Sequence, residues 1–140
     1  MKLAICTDVF ADLSYTDMLD KVKSLGIDAV EMTAGGWGAR KHCNTAELLA
    51  DEGKRKEFMG ELEKRGMRIS ALNTSCNPLW PSKTGEEYKK SMYDCATLAG
   101  LLGVKKIVAM AGLPAGNETD TTPNWITSTV SWPAFMAPAY

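Results

Sequence analysis

The chain has 140 residues, of which 45% are hydrophobic and 24% charged, and its formal net charge is −1. This composition is ordinary for a soluble globular protein, and sixteen basic against seventeen acidic residues give no support for binding to nucleic acid or to a membrane surface. No apolar run approaches the length of a membrane span, and the N-terminal segment MKLAICTD reads as a first strand rather than a secretory signal, so we expect a cytoplasmic protein.

Hydrophobic periodicity predicts strands and helices in alternation along the chain. Four short apolar runs are predicted as strands, over residues 2–7, 28–33, 68–72 and 105–110. Helical spacing is found between them, over residues 15–25, in two stretches within 45–65, and over 85–102. Gly26, Gly66 and Gly103 each stand between a helix and the next strand, which indicates a repeated unit with short links.

Strands that alternate with helices predict βαβ units and a parallel sheet. We therefore expect an α/β fold in which residues 1–112 form a half-barrel: about four β/α units of a TIM barrel, in parallel strand order 1-2-3-4. Residues 113–140 are expected to form a lid-like loop and a truncated tail, because a complete barrel needs about 250 residues. An open doubly wound sheet is the alternative, but the phosphate-binding G-x-G-x-x-G that typically follows its first strand is absent.

Three stretches resemble the xylose-isomerase-like TIM-barrel family, whose members are described as sugar phosphate isomerases or epimerases. These stretches are VEMTAGGWGARKHCNTAELLADEGKRKEF, ISALNTSCNPLWP and TPNWITSTVSWP. The resemblance implies proton transfer beside the carbonyl of a small sugar or polyol, assisted by a divalent metal ion (Mn, Mg or Zn). The family's metal ligands, carboxylates and a His, come mostly from the second half of the barrel. From this chain alone we therefore expect weak metal binding or none, and the metal ligands stay unknown. Family members often carry a His where this chain has Trp80.

Active sites of this fold lie at the carboxyl ends of the strands, and that position selects the candidate residues. Glu31 stands inside an apolar strand, and His42 is the single histidine of the chain, a residue type suited to acid–base chemistry, so we predict both as catalytic. The structural alternatives are a carboxylate paired with a lysine and a solvated loop histidine. Side chains or backbone suited to hydrogen bonding, close approach or stacking are predicted to bind substrate: Asp8, Gly36, Trp37, Asn73, Ser75, Asn77 and Trp125. For the asparagines, a turn that uses the amide locally is an equally good explanation.

Two functions stay open at this point. The first is a sugar or sugar-phosphate isomerase or epimerase, in which a second copy completes the barrel as a homodimer. The second is a non-catalytic half-barrel that self-associates or binds small polyols. The four cysteines lack C-x-x-C spacing, and we predict that they act as small buried hydrophobic residues rather than as zinc or redox ligands.

Overall fold

The computed structural model describes residues 3–123, which form a four-stranded sheet and the helices that cover one of its faces. The strands are β1 Ile5–Cys6, β2 Ala29–Thr33, β3 Arg68–Asn73 and β4 Ile107–Val108. The helices are α1 Tyr15–Ser24, α2 Thr45–Ala50, α3 Glu52–Glu63 and α4 Lys83–Leu102. All neighbouring strands are parallel and their order is β1-β2-β3-β4, so the predicted order is confirmed.

The helix boundaries follow from local capping chemistry. The side chains of Ser14, Asn44 and Asp51 each accept a hydrogen bond from a backbone N–H in the first turn of α1, α2 and α3, which satisfies a donor with no partner inside the helix. The three glycines that follow α1, α3 and α4 have left-handed φ values of 75°, 61° and 69°, a conformation that ends a helix at low cost only for glycine. The repeated helix–Gly–strand link is therefore real.

The core is a single layer between the sheet and its helices. Val30 and Met32 of β2 and Leu72 of β3 are fully buried on the helix-facing side. They pack in one cluster with side chains from all four helices, chiefly Met18, Leu19, Val22, Leu48, Phe58, Leu62, Leu98 and Ala99. The opposite face of the sheet corresponds to the interior of a barrel. It carries the strand side chains that alternate with the buried, helix-facing ones.

A bulge in β3 decides which of its side chains reach that interior face. Val30 is paired with Ile69 but Glu31 with Ala71, so Ser70 is an extra residue, and its hydroxyl donates to the Val30 carbonyl over 2.9 Å. Because of the extra residue, Ile69 and Leu72 both face the helices although they are three positions apart. Asn73 is thereby directed to the same face as Glu31.

The two outer strands are shorter than predicted. A 3-10 helix, Thr7–Phe10, begins directly after β1. At this point the buried Thr7 hydroxyl, rather than the backbone, accepts a hydrogen bond from the Thr33 N–H at 3.4 Å, so the chain no longer continues as a strand. β4 has two residues, Ile107 and Val108, which are 41% and 37% exposed. No helix of residues 3–123 is both long enough and apolar enough to cross a membrane. Trp125 and most of the predicted tail lie outside the described residues.

Candidate active site

Glu31 and Asn73 form a hydrogen-bonded pair at the carboxyl ends of β2 and β3. Asn73 Nδ2 donates to Glu31 Oε1 over 2.6 Å, and Asn73 Oδ1 accepts from the Ser75 N–H over 2.8 Å. A backbone N–H can only donate, so the Ser75 contact fixes which end of the amide faces Glu31. All three residues are half-buried. The carboxylate is thus held in one orientation and stays accessible from the open face.

Asp8 approaches the same edge of the sheet from the 3-10 helix after β1. Its Oδ2 atom and the Thr33 methyl group occupy the space where a side chain at Gly38 would begin. Only a glycine lets the loop after β2 pass so closely over these two residues. Asp8, Glu31 and Asn73 therefore lie at the same edge of the sheet, in or directly after three consecutive strands. The catalytic role predicted for Glu31 and the substrate-binding roles predicted for Asp8 and Asn73 stay predictions.

The Gly-Gly-Trp-Gly loop after β2 is fastened to the loop after β3 and to α4. Gly36 has φ 71°, its N–H donates to Ser91 Oγ over 2.9 Å, and a Cβ atom there would collide with the Ser75 carbonyl. The Trp37 N–H donates to that carbonyl over 2.9 Å. The loop backbone is fixed by these contacts, while the Trp37 side chain is 47% exposed.

Three aromatic rings meet above these loops. Trp37 Nε1 donates to Tyr88 Oη over 2.7 Å, with the rings edge to face at a centroid distance of 6.1 Å. Trp80 packs against Tyr88 in a similar edge arrangement at 6.4 Å. Sequence reasoning misses Tyr88 because its spacing from Met92 and Cys95 places it on the apolar face of α4. The available signal is its position near the start of α4, directly after the third strand's loop.

His42 and Asn77 have partners of their own, apart from Glu31. His42 is 6% exposed, its Nε2 lies 3.1 Å from the Leu13 carbonyl oxygen, and it lines a groove of about 500 Å³ with residues of α1, α2 and α3. Asn77 is 1% exposed, and its side-chain amide is hydrogen-bonded to the backbone of Leu79 and Leu113. The predicted catalytic role of His42 and substrate role of Asn77 stay predictions.

Neither the carboxylates nor the thiols of residues 3–123 form a metal cluster. No three His, Cys, Asp or Glu side chains of this part of the chain come together in a way that would hold a metal ion. Cys43, Cys76 and Cys95 are buried free thiols and Cys6 is half-exposed. Burial raises the pKa of both Cys43 and Cys95 to about 11, and it also raises the pKa of Cys76, so these thiols are protonated and unreactive at neutral pH.

Solved structures place this architecture among barrel proteins. AsbF of Bacillus anthracis, described as a probable 3-DHS dehydratase involved in petrobactin synthesis, matches with a TM-score of 0.57 at 21% identity, over 80% of this chain and 39% of its own. A xylose isomerase domain containing protein of Salmonella typhimurium LT2 matches with a TM-score of 0.47 at 20% identity, over 89% of this chain and 40% of its own. The likeness to AsbF shows the fold, and together with the parallel strand order β1-β2-β3-β4 it confirms the predicted α/β half-barrel.

A curated relative is much closer in sequence. The chain is 52% identical over 136 residues to the uncharacterized protein YfiH of Bacillus subtilis (strain 168), a match that includes 97% of this chain. The chain spans 44% of the length of YfiH. No family model matches the chain. The chain is therefore similar to less than half of this relative.

Proposed function

We propose that this chain forms the first half of the active site of a cytoplasmic isomerase or epimerase that acts on a sugar or sugar phosphate. The observation that carries the proposal is the Glu31 carboxylate, held by an oriented Asn73 amide at the carboxyl end of a parallel barrel sheet. Catalytic groups of this fold lie at that end. The four unpaired thiols support a reducing compartment, where disulfides are rare.

In this proposal Glu31 removes a proton from the carbon beside the substrate carbonyl and returns it to the former carbonyl carbon, while the hydroxyl proton moves from one oxygen to the other, so that an aldose and a ketose interconvert. Epimerisation needs a second acid on the opposite face of the substrate, which in this proposal the second half of the barrel supplies. The bond from Asn73 engages one carboxylate oxygen and leaves the other for the substrate. The hydroxyl of Ser75 and the carboxylate of Asp8 offer hydrogen bonds to sugar hydroxyls at the same edge. We do not assign His42 to the proton transfer, because its ring is turned to the Leu13 carbonyl.

The divalent cation that the resemblance implies does not fit residues 3–123 alone. Glu31 and Asp8 supply the oxygen ligands that hard cations prefer, but a complete shell needs six or so, and no three-residue group is present in this part of the chain. No step above depends on the cation. We propose that it binds together with the second half of the barrel, which a second copy supplies in a homodimer.

Exchange with solvent deuterium tests the proton transfer directly. The chain is incubated in D₂O with Mn²⁺ or Mg²⁺ and a panel of aldoses, ketoses and their phosphates, and loss of the C–H signal is followed by ¹H NMR. We expect exchange that Glu31→Gln slows by about 10²- to 10⁴-fold, the usual contribution of a general base. Glu63→Gln, at an exposed position of α3, is the matched control and should exchange like the unmodified chain.

The alternative is a half-barrel without catalytic activity. It predicts no exchange above the protein-free rate with any member of the panel. Exchange that survives Glu31→Gln unchanged would instead place the base elsewhere and defeat the role proposed for Glu31.

A further inference from the structure

We propose that Trp37 and Tyr88 form a subsite for the uncharged, polyhydroxylated part of the substrate. The Trp37 ring stacks on a C–H face of the sugar, and the Tyr88 hydroxyl donates a hydrogen bond to a sugar oxygen. The inference rests on the proposed function, which it extends by naming what is bound beside Glu31 and by which atoms.

Trp37 is presented on a backbone that is already ordered. The Gly36 N–H donates to Ser91 and the Trp37 N–H donates to the Ser75 carbonyl, so the loop is bonded at both residues. Gly36 also packs closely against the Ser75 carbonyl, which restricts movement of the loop backbone. An exposed aromatic ring on a fixed loop offers a large contact area with little ordering cost on binding. Trp37 is 47% exposed although its indole N–H is satisfied.

The Trp37 contact also determines the direction of the Tyr88 hydroxyl. An indole N–H can only donate, so Tyr88 Oη is the acceptor in the 2.7 Å bond between them. The hydrogen of the Tyr88 hydroxyl has no acceptor among residues 3–123. The Tyr88 oxygen already accepts from Trp37, so the Tyr88 hydroxyl is available as a donor. Such a donor can bind a hydroxyl oxygen or the ring oxygen of a sugar.

Short hydrogen-bonded links connect this pair to the carboxylate. The Trp37 N–H donates to the Ser75 carbonyl, the Ser75 N–H donates to Asn73 Oδ1, and Asn73 Nδ2 donates to Glu31. A ligand stacked on Trp37 thus lies on the same loop framework that orients Glu31. Because Trp37 and Tyr88 carry no charge, the subsite suits the polyol part of a substrate rather than a phosphate group.

Binding of xylitol, a polyol with no carbonyl to react, tests the subsite independently of catalysis. Saturation-transfer NMR titrations give a Kd for the unmodified chain and for three variants. Tyr88→Phe keeps the ring and removes the donor, and we expect its Kd to rise about 3- to 10-fold. Trp37→Ala should raise the Kd by a similar factor. Tyr93→Phe removes a hydroxyl from a tyrosine that is 75% exposed on the same helix, and it should bind like the unmodified chain.

The outcomes separate the subsite from the proton transfer. An unmodified chain that shows no transfer to xylitol, or equal Kd values for Tyr88→Phe and Tyr93→Phe, overturns the inference even if Glu31→Gln abolishes exchange. If Tyr88→Phe weakens xylitol binding but Glu31→Gln leaves the rate of deuterium exchange unchanged, the subsite is supported and Glu31 is rejected as the base. If Trp37→Ala lacks the thermal transition of the folded protein, Trp37→Phe replaces it, with a smaller expected rise in Kd.

Discussion

Asn73 ends β3 and Asn77 lies in the loop that follows, and each side-chain oxygen accepts from the backbone N–H two residues ahead. Their remaining partners differ. Asn73 donates to Glu31 on the open face, whereas Asn77 both donates to and accepts from the backbone of Leu113 in a fully buried position. The same local turn therefore serves the candidate site in one case and holds the segment after β4 in the other.

Replacing Asn77 by alanine should lower the free energy of unfolding by about 2–3 kcal/mol, because three hydrogen bonds between its buried amide and the backbone of Leu79 and Leu113 are lost. Urea unfolding followed by circular dichroism measures the change. Asn117→Ala removes an amide that is bonded to Thr119 and Asp120 in an exposed turn, so it serves as the exposed counterpart and should cost about 1 kcal/mol or less. Equal urea midpoints for the two variants would contradict the anchoring role.

At this scale the sequence predicts candidates but not their partners. Residues 31 and 73 are both selected by their positions at strand ends, yet their contact depends on the extra residue at Ser70. The spacing of Ile69 and Leu72, three apart instead of two, is the only local sign of that bulge. Asn73 and Asn77 look alike in sequence because Glu31 and Leu113 are distant along the chain.

Arg65, just after α3, joins that helix to α1. Its guanidinium donates to Asp20 on α1 and to Glu61 on α3, the latter over 2.7 Å. The hydrogen bond to Arg65 holds the pKa of the Asp20 carboxyl below its usual value, and bonds from Lys64 and Arg65 do the same for Glu61. The two helices are therefore coupled through charges at the protein surface.

This coupling predicts a loss of stability in acid. A carboxyl group with a lowered pKa in the folded state binds its proton less readily than in the unfolded chain. Its contribution is complete above its ordinary pKa and disappears as the pH falls through the lowered value. Asp20→Asn should lower the urea midpoint at pH 7 and reduce the further decrease on going to pH 3. Asp28→Asn, an exposed aspartate without a side-chain partner among residues 3–123, should keep the full decrease.

The elements themselves are predicted well where local chemistry sets their limits. The capping side chains of Ser14 and Asp51 and the glycines after the helices can all be recognised in the sequence. The first strand is predicted too long because an apolar run marks burial rather than hydrogen bonding. Residue 7 is as buried as a strand residue, yet its hydroxyl, not its backbone, is bonded to the next strand.

Across the whole molecule, the sheet of residues 3–123 has two open sides. β1 is paired only with β2 and β4 only with β3 within this region, and Ile107 and Val108 are partly exposed. Unpaired strands carry free backbone donors and acceptors that recruit other strands. In a complete barrel these two edge strands are paired with strands of the other half.

We therefore expect the chain to self-associate at micromolar concentration, with β4 of one copy beside β1 of another. Sedimentation velocity measures the association, and Ile107→Lys should weaken it, because a charge at this position opposes strand pairing. Leu25→Lys makes the same chemical change at a position that is 53% exposed after α1, away from both edges, and should leave it intact. A monomer at every concentration, or equal effects of the two lysines, would count against pairing through the sheet edges.

The order β1-β2-β3-β4 has a consequence for how the chain acquires its structure during synthesis. Each strand is paired with the strand made just before it, so no pairing in this sheet waits for a distant part of the chain. Contacts that are near in sequence form quickly, and chains emerge from the ribosome at about 5–20 residues per second. The sheet of the described residues can therefore grow outward from β1 in the order of translation, and β4 is added after the other three strands. The newest strand then carries the growing edge, and chaperones that cover exposed strands would meet the nascent protein there.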